Sequence, residues 1–270
     1  MPYCQTPQAE MYYEEIGEGR PIMLIHGYGV DHQIMKGCME PVFLQRSGWR
    51  RIYLDLPGMG LTRNYNTITD SDGMLDAVLA TVDQLLPGER YCVAGQSYGG
   101  YIARGMVQKR PDQIDGVALI CPMIVPQFAE RDLPKHQVLR QDEAFVRAQG
   151  GKDFDEYCQM GAVLNAYTWQ RYMEDIVPGC RLSDGAFLER VKTRYGYTFP
   201  LETSPFNKPG LLLTGRQDTS TGYRDAWPVL QQYPRTTFSA LDTAGHNLQV
   251  EQPVLFNALI QEWLDRVELD

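Results

Sequence analysis

Ser97 stands at the centre of Gly95-Gln96-Ser97-Tyr98-Gly99, preceded by an apolar run over residues 91–94 and followed by residues 101–107 with the apolar spacing of a helix. A strand, a sharp turn and a helix with serine at the apex make a nucleophile elbow. Gly95 and Gly99 allow close backbone approach because neither carries a Cβ. The helix opening after Ser97 aims its free N–H groups and positive dipole end at the serine. A serine hydroxyl is a poor nucleophile until a base takes its proton, and the base needs a carboxylate to hold its tautomer. His246, in Ala244-Gly245-His246 beyond a strand end, is the candidate base. Asp218, closing Gly215-Arg216-Gln217-Asp218 just past the preceding strand, is the candidate acid. Asp225 and Asp242 remain alternative acids; the strand-end position favours Asp218.

The elements that must hold these groups alternate along the chain. Strands are predicted at residues 10–16, 21–25, 51–55, 91–94 and 116–121, with helices over 35–46 and 70–86 between them. Short, continuously apolar strands alternating with helices imply a mostly parallel, doubly wound α/β sheet covered on both faces. In such sheets functional groups gather beyond the carboxyl ends of the strands. His26-Gly27, Asp55, Ser97, Asp218 and His246 all occupy that kind of position.

The alternation stops at residue 122. Residues 122–203 show helical patterns at 153–166, 168–176 and 184–195, with Asp153 as the expected N-cap of the first, and they are rich in aromatic residues and Met. The segment reads as a helical cap inserted into a core made of residues 1–121 and 204–270. Most of its aromatics are expected to fill the cap's own interior, and a few to line a substrate pocket. Strands resume at 210–213 and 236–241, and an amphipathic helix over 253–267 closes the chain.

Five segments taken together, His26-Gly27-Tyr28-Gly29, Asp55-Leu56-Pro57-Gly58-Met59-Gly60, Gly95-Gln96-Ser97-Tyr98-Gly99-Gly100, Gly215-Arg216-Gln217-Asp218 and Ala244-Gly245-His246, resemble the α/β-hydrolase fold family, cap-bearing serine hydrolase type. The resemblance spans nearly the whole chain outside the cap. It implies an oxyanion hole made by the backbone N–H groups of Tyr28 and Tyr98. It implies a serine hydrolase that cleaves a small ester, thioester or amide through an acyl-enzyme. Carbon–carbon bond hydrolases, lyases, synthases and acyltransferases use the same fold and form the alternative reading. A ligand-binding protein that has lost turnover is the third, opposed by the intact Ser97, Asp218 and His246. Serine at position 97 instead of aspartate, and Gly29 where epoxide hydrolases carry proline, argue against dehalogenation and epoxide opening.

The remaining composition narrows the partners. The 270 residues are 43% hydrophobic and 22% charged, which suits a globular core. Lys and Arg number 25 against 34 Asp and Glu, a net charge of −9 with no basic run, which argues against nucleic acid. No apolar run reaches membrane-spanning length and the N-terminus lacks signal-peptide character, so a cytoplasmic protein with a small-molecule acyl substrate is expected. Six scattered cysteines and four histidines show no metal-site spacing, and neither metal nor cofactor is expected. Homo-oligomerisation stays open. His26 reads as structural and Asp55 as the organiser of its turn. His32 and His136 read as surface residues, and Arg104 and Arg216 as partly surface-paired in preference to binding a substrate carboxylate.

Overall fold

The apolar runs form the strands of an eight-stranded sheet in a computed structural model that describes residues 2–270. The strands are β1 (Tyr3–Gln5), β2 (Glu10–Ile16), β3 (Arg20–Ile25), β4 (Trp49–Leu54), β5 (Tyr91–Gln96) and β6 (Ile114–Ile120). A two-stranded ribbon, β7 (Arg140–Gln141) and β8 (Val163–Leu164), lies outside the sheet, which continues with β9 (Gly210–Gly215) and β10 (Thr236–Leu241). The sheet order is β1-β2-β4-β3-β5-β6-β9-β10. Only the β1–β2 and β2–β4 pairs are antiparallel.

Period-two alternation splits each central strand between two cores. Met23 and Ile25 of β3 join Tyr91 and Val93 of β5 on one face, packed by α2 (Ser71–Leu85) and α3 (Tyr98–Lys109). Ile22 and Leu24 join Cys92 and Ala94 on the other, packed by α1 (Gln33–Phe43) and α11 (Pro253–Leu269). Helices on both faces explain why these strands are continuously apolar.

Between β6 and β9 the chain forms α4 (Glu143–Ala148), α5 (Lys152–Met160), α6 (Ala166–Asp175), α7 (Val177–Leu182) and α8 (Gly185–Lys192); α9 (Ala226–Val229) and α10 (Leu248–Glu251) follow β9 and β10. The inserted segment has no interior separate from the sheet's two cores. Phe187, Leu188 and Val191 belong to the α2/α3 core, and Phe154, Tyr157, Leu164 and Tyr172 to the α1/α11 core. Phe187 lies so close to Gly58 that a Cβ there would stand 2.1 Å from its ring. The Asp184 N–H donates to the Gly58 carbonyl at 2.8 Å.

Several boundaries differ from the sequence expectation. The helix expected over 153–166 ends at Met160. Gly161 leaves the helix extended, and residues 163–164 pair with β7 instead. Gly151, not Asp153, is its N-cap; Asp153 lies in the first turn and pairs with Arg181. Asp184 does cap α8, accepting from the Phe187 N–H. The helix expected over 35–46 runs from Gln33 to Phe43, because Ile34 already packs inward while Leu44 is exposed. Among the described residues, no helix is long and apolar enough to cross a membrane.

Candidate active site

Ser97 joins β5 to α3 with φ 55° and ψ −115°, a backbone conformation that costs a non-glycine residue of order 1–3 kcal/mol. Its neighbours over-determine it. The Ser97 N–H donates to the Ile120 carbonyl at 2.9 Å, and its own carbonyl accepts from Met123 N–H at 2.9 Å. A Cβ on Gly95 would lie 2.2 Å from the Gly99 carbonyl oxygen, and one on Gly99 would lie 2.2 Å from that of Ile25. Glycine at both positions is therefore a matter of space. Within residues 91–107 only Ser97 is not buried.

His246, on the loop between β10 and α10, lies with Ser97 along the same cavity wall. Its Nδ1 is 2.9 Å from Oδ2 of Asp218. Asp218 is wholly buried beyond the end of β9. Its Oδ1 accepts from the N–H groups of Ser220 (2.8 Å) and Thr221 (3.0 Å), and the Thr221 hydroxyl is 2.8 Å from Oδ2. Burial pushes this carboxyl up, but the His246 ring and these donors outweigh it and hold the group below its ordinary range. The two alternative acids lie elsewhere. Asp225 accepts from the Asp132 N–H, and Asp242 is bonded by the Gln217 amide at the surface.

With Nδ1–H directed at Asp218, the free lone pair of His246 is on Nε2. That atom is 3.4 Å from Nε2 of Gln96, the residue before Ser97. Ser97 Oγ makes no hydrogen bond to any described residue. Gln96 was not among the sequence candidates, although a polar side chain ending a buried strand beside the serine was a visible signal.

The loop at Gly27-Tyr28 lies against the serine: a Cβ on Gly27 would be 3.1 Å from the Ser97 Cβ. The Tyr98 N–H opens α3 and so has no acceptor within its helix, and the Tyr28 N–H has none among the described residues. The half-buried Tyr28 ring packs edge-on against Tyr98 (5.3 Å) and Tyr195 (5.1 Å), and its hydroxyl donates to the Leu188 carbonyl.

His26 supports that loop. Its Nδ1 is 2.7 Å from the Gly27 carbonyl oxygen, and its Nε2 accepts from Leu56 N–H at 2.9 Å. Asp55 orders the adjoining turn by accepting from Leu61 N–H and His32 N–H. His32, expected at the surface, is buried with Nδ1 2.8 Å from Asp55 Oδ1. Burial works against its charge, but Asp55, Asp31 and Glu14 prevail and raise its pKa. Arg104 is also buried rather than surface-paired; it grips both carboxylate oxygens of Glu202 and the Met123 carbonyl. His136 and Arg216 are exposed, Arg216 over the Tyr223 ring.

The cavity has a volume of about 840 Å³ and lies between Ser97 and His246 on the sheet side and Met160, Tyr172 and Tyr195 of the inserted segment. Cys121, Asp218 and His246 bring three metal-capable atoms within 4.8 Å of one another, but Nδ1 and Oδ2 already engage each other and all three residues are buried. The structure brings to one cavity a serine hydroxyl, an imidazole backed by a carboxylate and two N–H groups without a backbone acceptor.

A family model described as alpha/beta hydrolase fold matches residues 20–253. The AB hydrolase superfamily protein YisY of Bacillus subtilis is 26% identical over 97% of this chain and 98% of its own. The pimeloyl-[acyl-carrier protein] methyl ester esterase of Nitrosomonas europaea is 30% identical over 88% of this chain and 93% of its own. The crystal structure of an alpha/beta superfamily hydrolase from Oenococcus oeni superposes with a TM-score of 0.90 at 27% identity, covering 99% of this chain and 100% of that one.

Proposed function

The chain belongs to the α/β-hydrolase fold family, and on that footing we propose that it is a serine hydrolase that cleaves a small ester, thioester or amide through an acyl-enzyme on Ser97. The observation that carries this reading is the 2.9 Å contact between His246 and the buried Asp218, in the same cavity wall as a serine held at φ 55°. The ester-cleaving relative supports an ester as substrate.

Ser97 Oγ attacks the substrate carbonyl carbon while His246 Nε2 takes its proton. Asp218 keeps the ring in the Nδ1–H tautomer and stabilises the imidazolium that forms. Negative charge on the carbonyl oxygen is met by the N–H groups of Tyr28 and Tyr98. One such donor is worth about 3 kcal/mol of barrier. Collapse of the tetrahedral intermediate breaks the bond to the leaving group, which receives its proton from His246. A water then gives its proton to His246 and attacks the acyl carbon, releasing the acid and restoring Ser97. The sequence needs no cofactor. The inserted segment acts as a cap that selects the acyl substrate.

The test is intact mass after treatment with a fluorophosphonate probe, beside Ser97→Ala. One adduct on the wild type and none on the variant is expected. An unlabelled wild type, or equal labelling of both, overturns the assignment.

A further inference from the structure

Arg131 enters the cavity from the inserted segment, just after a short turn at Phe128–Glu130. A guanidinium has five N–H donors. Here Nε donates to Val125 O (2.8 Å), Nη1 to Ser220 O (2.8 Å) and Nη2 to Pro126 O (3.0 Å). All three acceptors are neutral carbonyls, and two N–H groups are left over. Among the described residues, no carboxylate forms an ion pair with it. Asp218 and Asp225 act on it only through space, and each is bonded elsewhere. The other long charged side chains of the cavity wall have partners: Lys192 is 3.5 Å from Glu189, and Glu156 is 3.6 Å from Lys152.

The position is close to the chemistry. Ser220, which accepts from Arg131, gives its own N–H to Asp218. Val125 and Pro126 follow Met123, whose N–H bonds the Ser97 carbonyl. The guanidinium thus ties together the two loops that flank Ser97 and Asp218. Tyr195 shares the wall. Its ring stacks on Tyr98 at 4.9 Å, and its hydroxyl makes no hydrogen bond to any described residue. Both residues line the same cavity. A partly buried cation with spare N–H donors and a free hydroxyl on the same cavity wall are the kinds of donor that a carboxylate accepts.

We propose that Arg131 and Tyr195 form a subsite for a free carboxylate on the substrate, so that Ser97 acts on hemiesters or other acid-bearing esters in preference to neutral ones. This rests on the serine hydrolase reading above.

The experiment compares p-nitrophenyl hemiesters of succinate, glutarate and adipate with the neutral esters in which an isopropyl group replaces the carboxyl. For at least one chain length, the wild type favours the hemiester in kcat/KM by roughly ten-fold or more, chiefly through KM. Arg131→Met brings that ratio close to one. Arg131→Lys keeps part of it, and Tyr195→Phe, which removes only the hydroxyl, lowers it by a smaller factor. A wild type indifferent to the carboxylate at every length overturns the subsite. So does an Arg131→Met variant in which both esters slow equally, since that is the behaviour of a loop tie alone. Should Tyr195→Phe be the only variant to fold, an unchanged ratio in it counts against the subsite. Fluorophosphonate labelling reports separately on Ser97. If no ester turns over, calorimetric titration with glutarate decides: binding by the wild type and not by Arg131→Met supports the subsite, and no binding overturns it.

Discussion

The side-chain nitrogen of Gln96 stands 3.4 Å from Nε2 of His246, so the lone pair that would take the Ser97 proton already faces a donor. An amide nitrogen there can donate to the ring nitrogen, whereas a carboxylate at the same place cannot. Gln96→Glu is expected to slow Ser97 labelling at neutral pH by about ten-fold, the cost of about one hydrogen bond. Unchanged labelling would show that residue 96 has no bearing on the base.

Strain at Ser97 has a thermodynamic signature. Glycine adopts φ 55° without the strain that serine or alanine carries there. Ser97→Gly should therefore unfold at higher urea than Ser97→Ala, by about 1 kcal/mol, while both lack activity. Equal midpoints would mean that the elbow stores no such strain.

Acid stability should report on Asp218. Its carboxyl is held below the ordinary aspartate range, with burial opposing and the His246 ring and local donors prevailing. A depressed folded pKa contributes stability that is complete above the ordinary aspartate value and is lost as pH falls through the lower, folded one. The stability gap between wild type and Asp218→Asn should narrow as pH falls below about 4. Chemical denaturation at each pH checks this, and a gap that widens as pH falls below about 4 would contradict it.

Glu251 joins the base loop to the inserted segment. One oxygen accepts from Gly245 N–H, and the other from the N–H groups of Ala162 and Val163, 89 and 88 residues away. Glu251→Gln turns an NH₂ group toward backbone donors, leaving a buried mismatch that costs about 1–3 kcal/mol. A lower melting temperature is expected, with kcat falling as the residue before His246 loses its anchor. An unchanged melting temperature would show that the link is dispensable.

The parts of this protein legible in its sequence are those whose causes are local. Strands buried on both faces appear as continuous apolar runs, and Gly95 and Gly99 mark where backbone must approach backbone. Ser97, Asp218 and His246 stand out as candidates in the sequence because each follows a strand end. Helix ends were less so: Gly161 ends α5 where helical spacing continued, and residues 163–164 turn to a ribbon that their side chains alone do not announce.

What only the tertiary structure decided depends on contacts between distant segments. His32 looks like a surface histidine until β4 brings Asp55 against it, and Arg104 looks solvated until the returning chain supplies Glu202. The distinction between Asp218, Asp225 and Asp242 turns on which carboxylate faces His246 across two loops. Arg131 carries no mark in sequence at all, since its environment is made by carbonyls of Val125, Pro126 and Ser220 and by what is missing beside it. Secondary structure and strand-end chemistry are written in short-range periodicity, whereas charge pairing, burial and the shape of the cavity arise only when segments far apart in the chain are packed together.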